Sequence, residues 1–241
     1  MLILRRKITV KWEIVFFPLL FLLLLVLAYY NLIYLNSIRP GKMLEKTMQN
    51  MELNFNHLNV DIKERGSGYS LSFKGNILEN EVVYGEIPDY SLKIIKERNS
   101  GELLIKDLKD HLWKKASEIG LEELENLLIS PFELLNSWTT LYKHAKFLNY
   151  QTGKEQTGKE KVILLNISPE NLQKTGFPHD CSAEELWMEC LVFIDEEKLF
   201  INRIILSMYD KSSDENIFNR VFSFAPLGDN GSSYDTGINS I

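Results

Sequence analysis

From Ile14 to Tyr30 the chain reads IVFFPLLFLLLLVLAYY, a run without a single charge. Leu32, Ile33, Tyr34 and Leu35 extend it past one polar residue, Asn31. A helix of about 20 apolar residues crosses a hydrocarbon core of about 30 Å, and this run has that length. Trp12 stands at one end and Tyr29, Tyr30 and Tyr34 at the other, where aromatic side chains sit at the two membrane interfaces. Pro18 falls near the start, where its missing hydrogen bond is most easily absorbed. Arg5, Arg6, Lys7 and Lys11 precede the run. Arg39, Lys42 and Lys46 follow it, partly offset by Glu45. The excess of positive charge on the first side places the N-terminus in the cytoplasm. The competing reading is a cleaved signal peptide. Against it, the apolar run exceeds an ordinary signal core, and YLNSIRPG offers no small-residue cleavage pattern. The expectation is a single-pass protein of the cell membrane. Residues 1–11 form a basic cytoplasmic tail, 12–35 the transmembrane helix, 36–226 one extracellular domain, and 227–241 a disordered tail.

The part beyond Leu35 carries 23 basic and 32 acidic residues, a net of −9. Nucleic acid is therefore excluded as a partner, because phosphate contacts need clustered lysine and arginine. About two hundred residues suffice for one domain with a real core. Met43, Leu44, Thr47, Met48, Met51 and Phe55 recur at helical spacing after a break at Arg39-Pro40-Gly41. From His57 the period changes to two. Leu58, Val60 and Ile62 alternate with polar residues, as do Tyr69, Leu71 and Phe73 beyond the turn ERGSG. Tyr90, Leu92 and Ile94, then Leu103 and Ile105, repeat the pattern. Between about Asp107 and Tyr150 the spacing is helical. Ser130-Pro131 opens a helix whose apolar side runs from Phe132 through Leu134, Leu135, Trp138, Leu141 and Tyr142 to Ala145. The duplicated QTGKEQTGKE reads as a hairpin loop. Strands resume at 161–167, 186–195, 199–209 and 217–224. Helices that interrupt a run of strands give an α+β class with an antiparallel sheet.

Three stretches carry a resemblance. They are LSFKGNILENEVVYGEIPDYSLKI (71–94), HLWKKASEIGLEELENLLISPFELLNSW (111–138) and LVFIDEEKLFINRIILSMYD (191–210). In the last, Asp195 marks the turn and Arg203 the return strand. Together they resemble the bacterial LolA/LppX/LprG-like superfamily of lipid- and lipoprotein-binding proteins, over roughly residues 41–226. The resemblance implies a strongly curved antiparallel half-barrel, its open side closed by helices over an apolar cavity. It implies a lipid or other apolar ligand. Met48, Met51 and Phe55 on the first helix, Phe132, Leu135 and Trp138 on the second, and Phe73, Tyr84 and Trp113 on the sheet would line the cavity and face each other across a gap. Carriers of this superfamily are soluble or lipidated. A chain fixed by a helix binds, senses or assembles locally instead of ferrying cargo. The second reading is thus an interaction or sensor module with a membrane-protein partner.

Cys181 and Cys190 are the two cysteines. An even count outside the cytoplasm suggests a disulfide, and the alternative is two free thiols. With His179 and Asp180 they match no zinc spacing. The four histidines are scattered, and no P-loop, dinucleotide fingerprint or nucleophile elbow occurs. Nothing in the sequence points to a cofactor or to catalysis.

Overall fold

Period-two sequence on either side of a helical stretch builds one sheet here. In the computed structural model, which describes residues 12–33, 39–55, 57–78, 81–96, 102–109, 112–148, 160–168, 171 and 186–227, the strands form a single 11-stranded antiparallel sheet. The first six are β1 (His57–Gly66), β2 (Tyr69–Leu78), β3 (Glu81–Ile87), β4 (Leu92–Lys96), β5 (Leu103–Asp107) and β6 (Trp113–Lys115). The last five are β7 (Lys146–Leu148), β8 (Glu160–Ile167), β9 (Leu186–Asp195), β10 (Phe200–Asp210) and β11 (Asn216–Pro226). Their order across the sheet is β6-β5-β4-β3-β2-β1-β11-β10-β9-β8-β7. Each set is a meander. The seam β1–β11 joins them, setting Leu58 opposite Pro226 and Ile62 opposite Phe222.

The chain leaves one edge of the sheet at β6 and re-enters at the other edge at β7. The connection is a string of short helical pieces: α3 (Ala116–Ile119), a 3-10 turn (Glu122–Leu128), α4 (Pro131–Ser137) and a second 3-10 turn (Thr139–His144). Before the sheet come α1 (Trp12–Ile33) and α2 (Arg39–Asn54). Alternate strand residues such as Ile62, Phe73, Ile94, Val192 and Phe222 are buried in one cluster with Leu44 and Met51 of α2 and Leu128, Phe132 and Leu135 of the crossover. Burial of each such side chain is favourable by about 1.5–3 kcal/mol. The core therefore lies between one face of the sheet and a cover made of α2 and the crossover, and the class is α+β.

The sheet is open and curved. Register shifts fall at Asn76/Ile77, Ile201/Arg203 and Met208/Tyr209, and bulges of this kind bend a strand and raise its twist. Gly75 faces Gly85 across β2 and β3. The Phe73 ring folds over this pair: a Cβ on Gly85 would lie 2.1 Å from its Cζ.

Three local expectations are corrected. Arg39-Pro40-Gly41 is the first turn of α2 and not a break. Proline is tolerated there because its N–H has no helical partner to lose. Gly41 packs against the second 3-10 turn so closely that a Cβ would sit 2.2 Å from the Tyr142 carbonyl oxygen. The helix opened by Ser130 ends at Ser137, short of Ala145, although Ser130 does cap it, its Oγ accepting from the Glu133 N–H at 3.5 Å. Strand β6 starts at Trp113, within a stretch whose spacing reads as helical. It pairs with β5 at three positions, and those ladder bonds outweigh local propensity. Of the duplicated loop, residues 151–159 lie outside the described residues, as do residues 228–241 of the tail.

Gly41→Ala is a direct check on the α2 contact. Alanine favours an isolated helix by about 1 kcal/mol over glycine. Against a fixed backbone oxygen the added methyl instead overpacks, at about 1–3 kcal/mol. The expected result is a melting temperature lower by several degrees. An unchanged or higher value would mean that α2 does not lie this close.

Side chains of α1 are described from Phe16 to Leu32, 17 residues, and they are exposed almost throughout. The backbone helix runs 22 residues. Among the described residues no helix is long and apolar enough to cross a membrane.

Candidate functional site: the seam between sheet and cover

Strand parity decides which of the expected lining residues share a face. Phe73 pairs with Ile62 and is fully buried. Met48, Met51, Phe132, Leu135 and Trp138 are buried from the cover side, and Phe55 packs partly buried against the same cluster. Seven of the nine expected residues thus meet in one seam. Tyr84 and Trp113 do not. Tyr84 is registered with Asn76, one step from the Gly75–Gly85 pair that lies under Phe73, so it points from the opposite face. Trp113 is registered with Lys106, the neighbour of buried Ile105, and Lys106 Nζ sits 5.8 Å from its ring centroid on the outer face. A slip of one residue in strand register moves a side chain from core to surface, and nothing in the local pattern sets that parity.

The expected gap is also corrected, at two places. Phe132 of α4 meets Phe224 of β11 with ring centroids 5.2 Å apart, and Phe55 meets Phe200 of β10 at 4.8 Å. Cover and sheet touch directly there. The cover is also tied down by polar contacts. The Asn50 side-chain amide donates to the Lys198 and Leu199 carbonyls at 3.1 and 3.0 Å. The Asn136 amide donates to Glu52 at 3.3 Å, joining α4 to α2.

One polar group in the seam is unmatched. The Trp138 indole N–H is buried, with the residue 1% exposed, and has no acceptor among the described residues. A buried donor left without a partner costs about 1–3 kcal/mol. Close by in the chain, the Tyr142 hydroxyl donates to the Leu135 carbonyl at 3.0 Å, and burial raises its pKa.

Sequence reasoning missed a second polar feature. Arg220 of β11 is 1% exposed, on the same face as Phe218, Phe222 and Phe224. Its Nε donates to Glu64 of β1 at 2.6 Å, its Nη2 lies 2.5 Å from the same carboxylate, and its Nη1 donates to the Asn126 carbonyl at 2.9 Å. Tyr69 completes the group, its hydroxyl donating to the other Glu64 oxygen at 2.7 Å. Burial lowers the guanidinium pKa, and Glu64 beside it raises it part of the way back. This ion pair bridges the β1–β11 seam and fastens the first 3-10 turn of the cover to the sheet. Its signal was legible: in NIFNRVFSF a lone arginine falls in step with phenylalanines that alternate onto one face.

Cys190 is a free thiol, fully buried on the core face of β9, and burial raises its pKa. The residues grouped with it, His179, Asp180 and Cys181, lie outside the described residues.

No protein-family model and no curated protein matches the chain. Among solved structures, the Mycobacterium tuberculosis lipoprotein LppX superposes with a TM-score of 0.51 at 12% identity, over 78% of this chain and 94% of LppX. LprF from Mycobacterium bovis aligns at a TM-score of 0.41 and 7% identity, over 79% and 93%, too loosely to carry an argument. The chain has the fold of LppX, an open, curved antiparallel sheet under a helical cover.

Proposed function

We propose that this chain is a membrane-tethered, non-enzymatic domain that takes a lipid or another apolar ligand between its curved sheet and its cover. In this reading α1 crosses the cell membrane with the N-terminus in the cytoplasm, and the sheet domain lies outside. The observation that carries the ligand reading is the Trp138 indole N–H, buried without an acceptor among the described residues in a largely apolar seam. An acyl chain that ends in an ester, carboxyl or hydroxyl oxygen supplies both the apolar body and the missing acceptor. Met48 and Met51 supply adaptable walls.

The cover suits such a role. Helices of four and seven residues hold little structure of their own, so they part from the sheet more readily than one long helix would. Entry then separates Phe132 from Phe224. That LppX, a lipoprotein, shares the fold adds support. The second reading, a protein-interaction module, has one observation behind it. Tyr90, Leu108 and Leu112 stand exposed, the first two brought together where the Leu108 N–H donates to the Ser91 carbonyl at 3.1 Å.

The test uses the full chain in phospholipid vesicles that contain a lipid with a photoreactive diazirine in its acyl chain. After illumination, adducts are expected on α1 and also on the peptides holding Met48–Met51 and Phe132–Trp138. Adducts confined to α1 would overturn the ligand reading. Their absence from α1 would overturn the membrane span.

A further inference from the structure

The start of α2 and the second 3-10 turn border an open cavity of about 280 Å³, lined by Gly41, Lys42, Glu45, Thr139, Tyr142 and Lys143. This lies just under the roughly 300–1,000 Å³ of sites that take drug-sized ligands. It has room for a lipid headgroup and not for acyl chains. Its polar groups are the Lys42 and Lys143 ammonium ions, the Thr139 and Tyr142 hydroxyls and the Glu45 carboxylate. The Tyr142 hydroxyl is already engaged with Leu135, so the tyrosine contributes a wall.

The surroundings are basic in an acidic domain. Residues 39–48 and 139–148 hold five lysines and arginines (Arg39, Lys42, Lys46, Lys143 and Lys146) and one acid, Glu45. All five basic side chains are exposed. Clustering of this kind raises the local concentration of anions.

Covalent geometry limits how far the cavity can lie from the end of α1. Ile33 ends α1 and Arg39 begins α2. Six peptide steps span no more than about 22 Å. The cavity opens at the first turn of α2, so it stays within a short reach of the end of α1 whatever path the chain takes. With α1 in a bilayer, that reach takes in the headgroup layer.

We propose that this cavity binds the phosphate group of an anionic phospholipid headgroup, with Lys42 and Lys143 meeting the phosphate and Glu45 limiting how much negative charge is accepted. The proposal rests on the reading of α1 as the membrane span. It is separate from acyl-chain capture at Trp138, since the headgroup here belongs to the bilayer.

The experiment titrates the full chain, held in uncharged maltoside micelles, with dihexanoyl phosphatidylglycerol. Tryptophan fluorescence and native mass spectrometry read the binding. Saturable binding is expected. Lysines near an anionic lipid strengthen its binding, so Lys42→Gln with Lys143→Gln is expected to weaken binding by about tenfold or more. Glu45→Gln is expected to tighten it severalfold, a gain that a damaged fold would not give. Dihexanoyl phosphatidylcholine is expected to bind about tenfold more weakly, and equimolar inorganic phosphate to leave the lipid bound. Unchanged affinity in the double-lysine variant would overturn the proposal. So would displacement of the lipid by equimolar phosphate, which would assign the site to a free anion. The membrane reading is checked apart from this. Release of the full chain from vesicles by an alkaline carbonate wash would overturn the span while leaving the micelle titration as it stands.

Discussion

Glu64→Leu is expected to lower the unfolding free energy by about 3–5 kcal/mol, because it takes from the buried Arg220 guanidinium the carboxylate it is paired with. The carboxylate takes both Arg220 contacts and the Tyr69 hydroxyl, so its loss strands several donors at once. The Asn126 carbonyl still accepts from Arg220 but neutralises nothing. Removing the charge together with its partner is a different operation. Glu64→Leu with Arg220→Met replaces a buried pair by apolar volume, which is often neutral or stabilising. The double variant is therefore expected to recover most of the loss, and denaturant unfolding followed by tryptophan fluorescence reads both. If the two changes add, with the double variant worse than either single one, the pair is not the closed unit described. The cover should also respond. With Arg220 gone the first 3-10 turn loses its tie to β11, and amide exchange between Glu122 and Leu128 is expected to quicken in every variant that lacks the arginine.

Trp138 separates stability from binding. Trp138→Ala removes a fully buried indole between cover and sheet, and large-to-small changes of this kind cost about 3–5 kcal/mol. Trp138→Phe keeps an aromatic ring but removes the orphaned N–H together with part of the ring volume. Part of the smaller ring's packing loss is offset by relief of a buried unpartnered donor, worth about 1–3 kcal/mol. The phenylalanine variant is thus expected to melt close to the parent while capturing less diazirine lipid at the Phe132–Trp138 peptide. Equal labelling of the two proteins would show that the indole N–H is not the ligand's donor. A melting temperature that falls as far for phenylalanine as for alanine would place the ring volume, and not its polarity, in control.

Much of the architecture was legible because antiparallel strands with one wet face repeat every second residue. The stretches 186–195, 199–209 and 217–224 match β9, β10 and β11 within two residues. Ser130-Pro131 announced a helix start through its cap and its proline, both local chemistry. The apolar face that packs in the core was legible on the helices, where Met48, Met51, Phe132, Leu135 and Trp138 are buried. Of the lining residues expected on the sheet, only Phe73 lies on that face. Tyr84 and Trp113 alternate just as well as Phe73 does. Their face is set by the Gly75–Gly85 and Lys106–Trp113 pairings, which no single strand contains.

Sequence by itself determined the apolar N-terminal run, the antiparallel class, the acidic balance and the helical interruption between the two sets of strands. Each follows from neighbours along the chain: side-chain period, charge count, caps and turns. Tertiary structure alone decided that β1 and β11 close one sheet, that Arg220 finds Glu64 across that seam, and that Lys42 and Lys143 share a cavity. Those partners lie about a hundred or more residues apart. What brings them together is the burial of one continuous apolar face beneath a crossover that runs from one edge of the sheet to the other, a long-range energy that no local window of sequence contains.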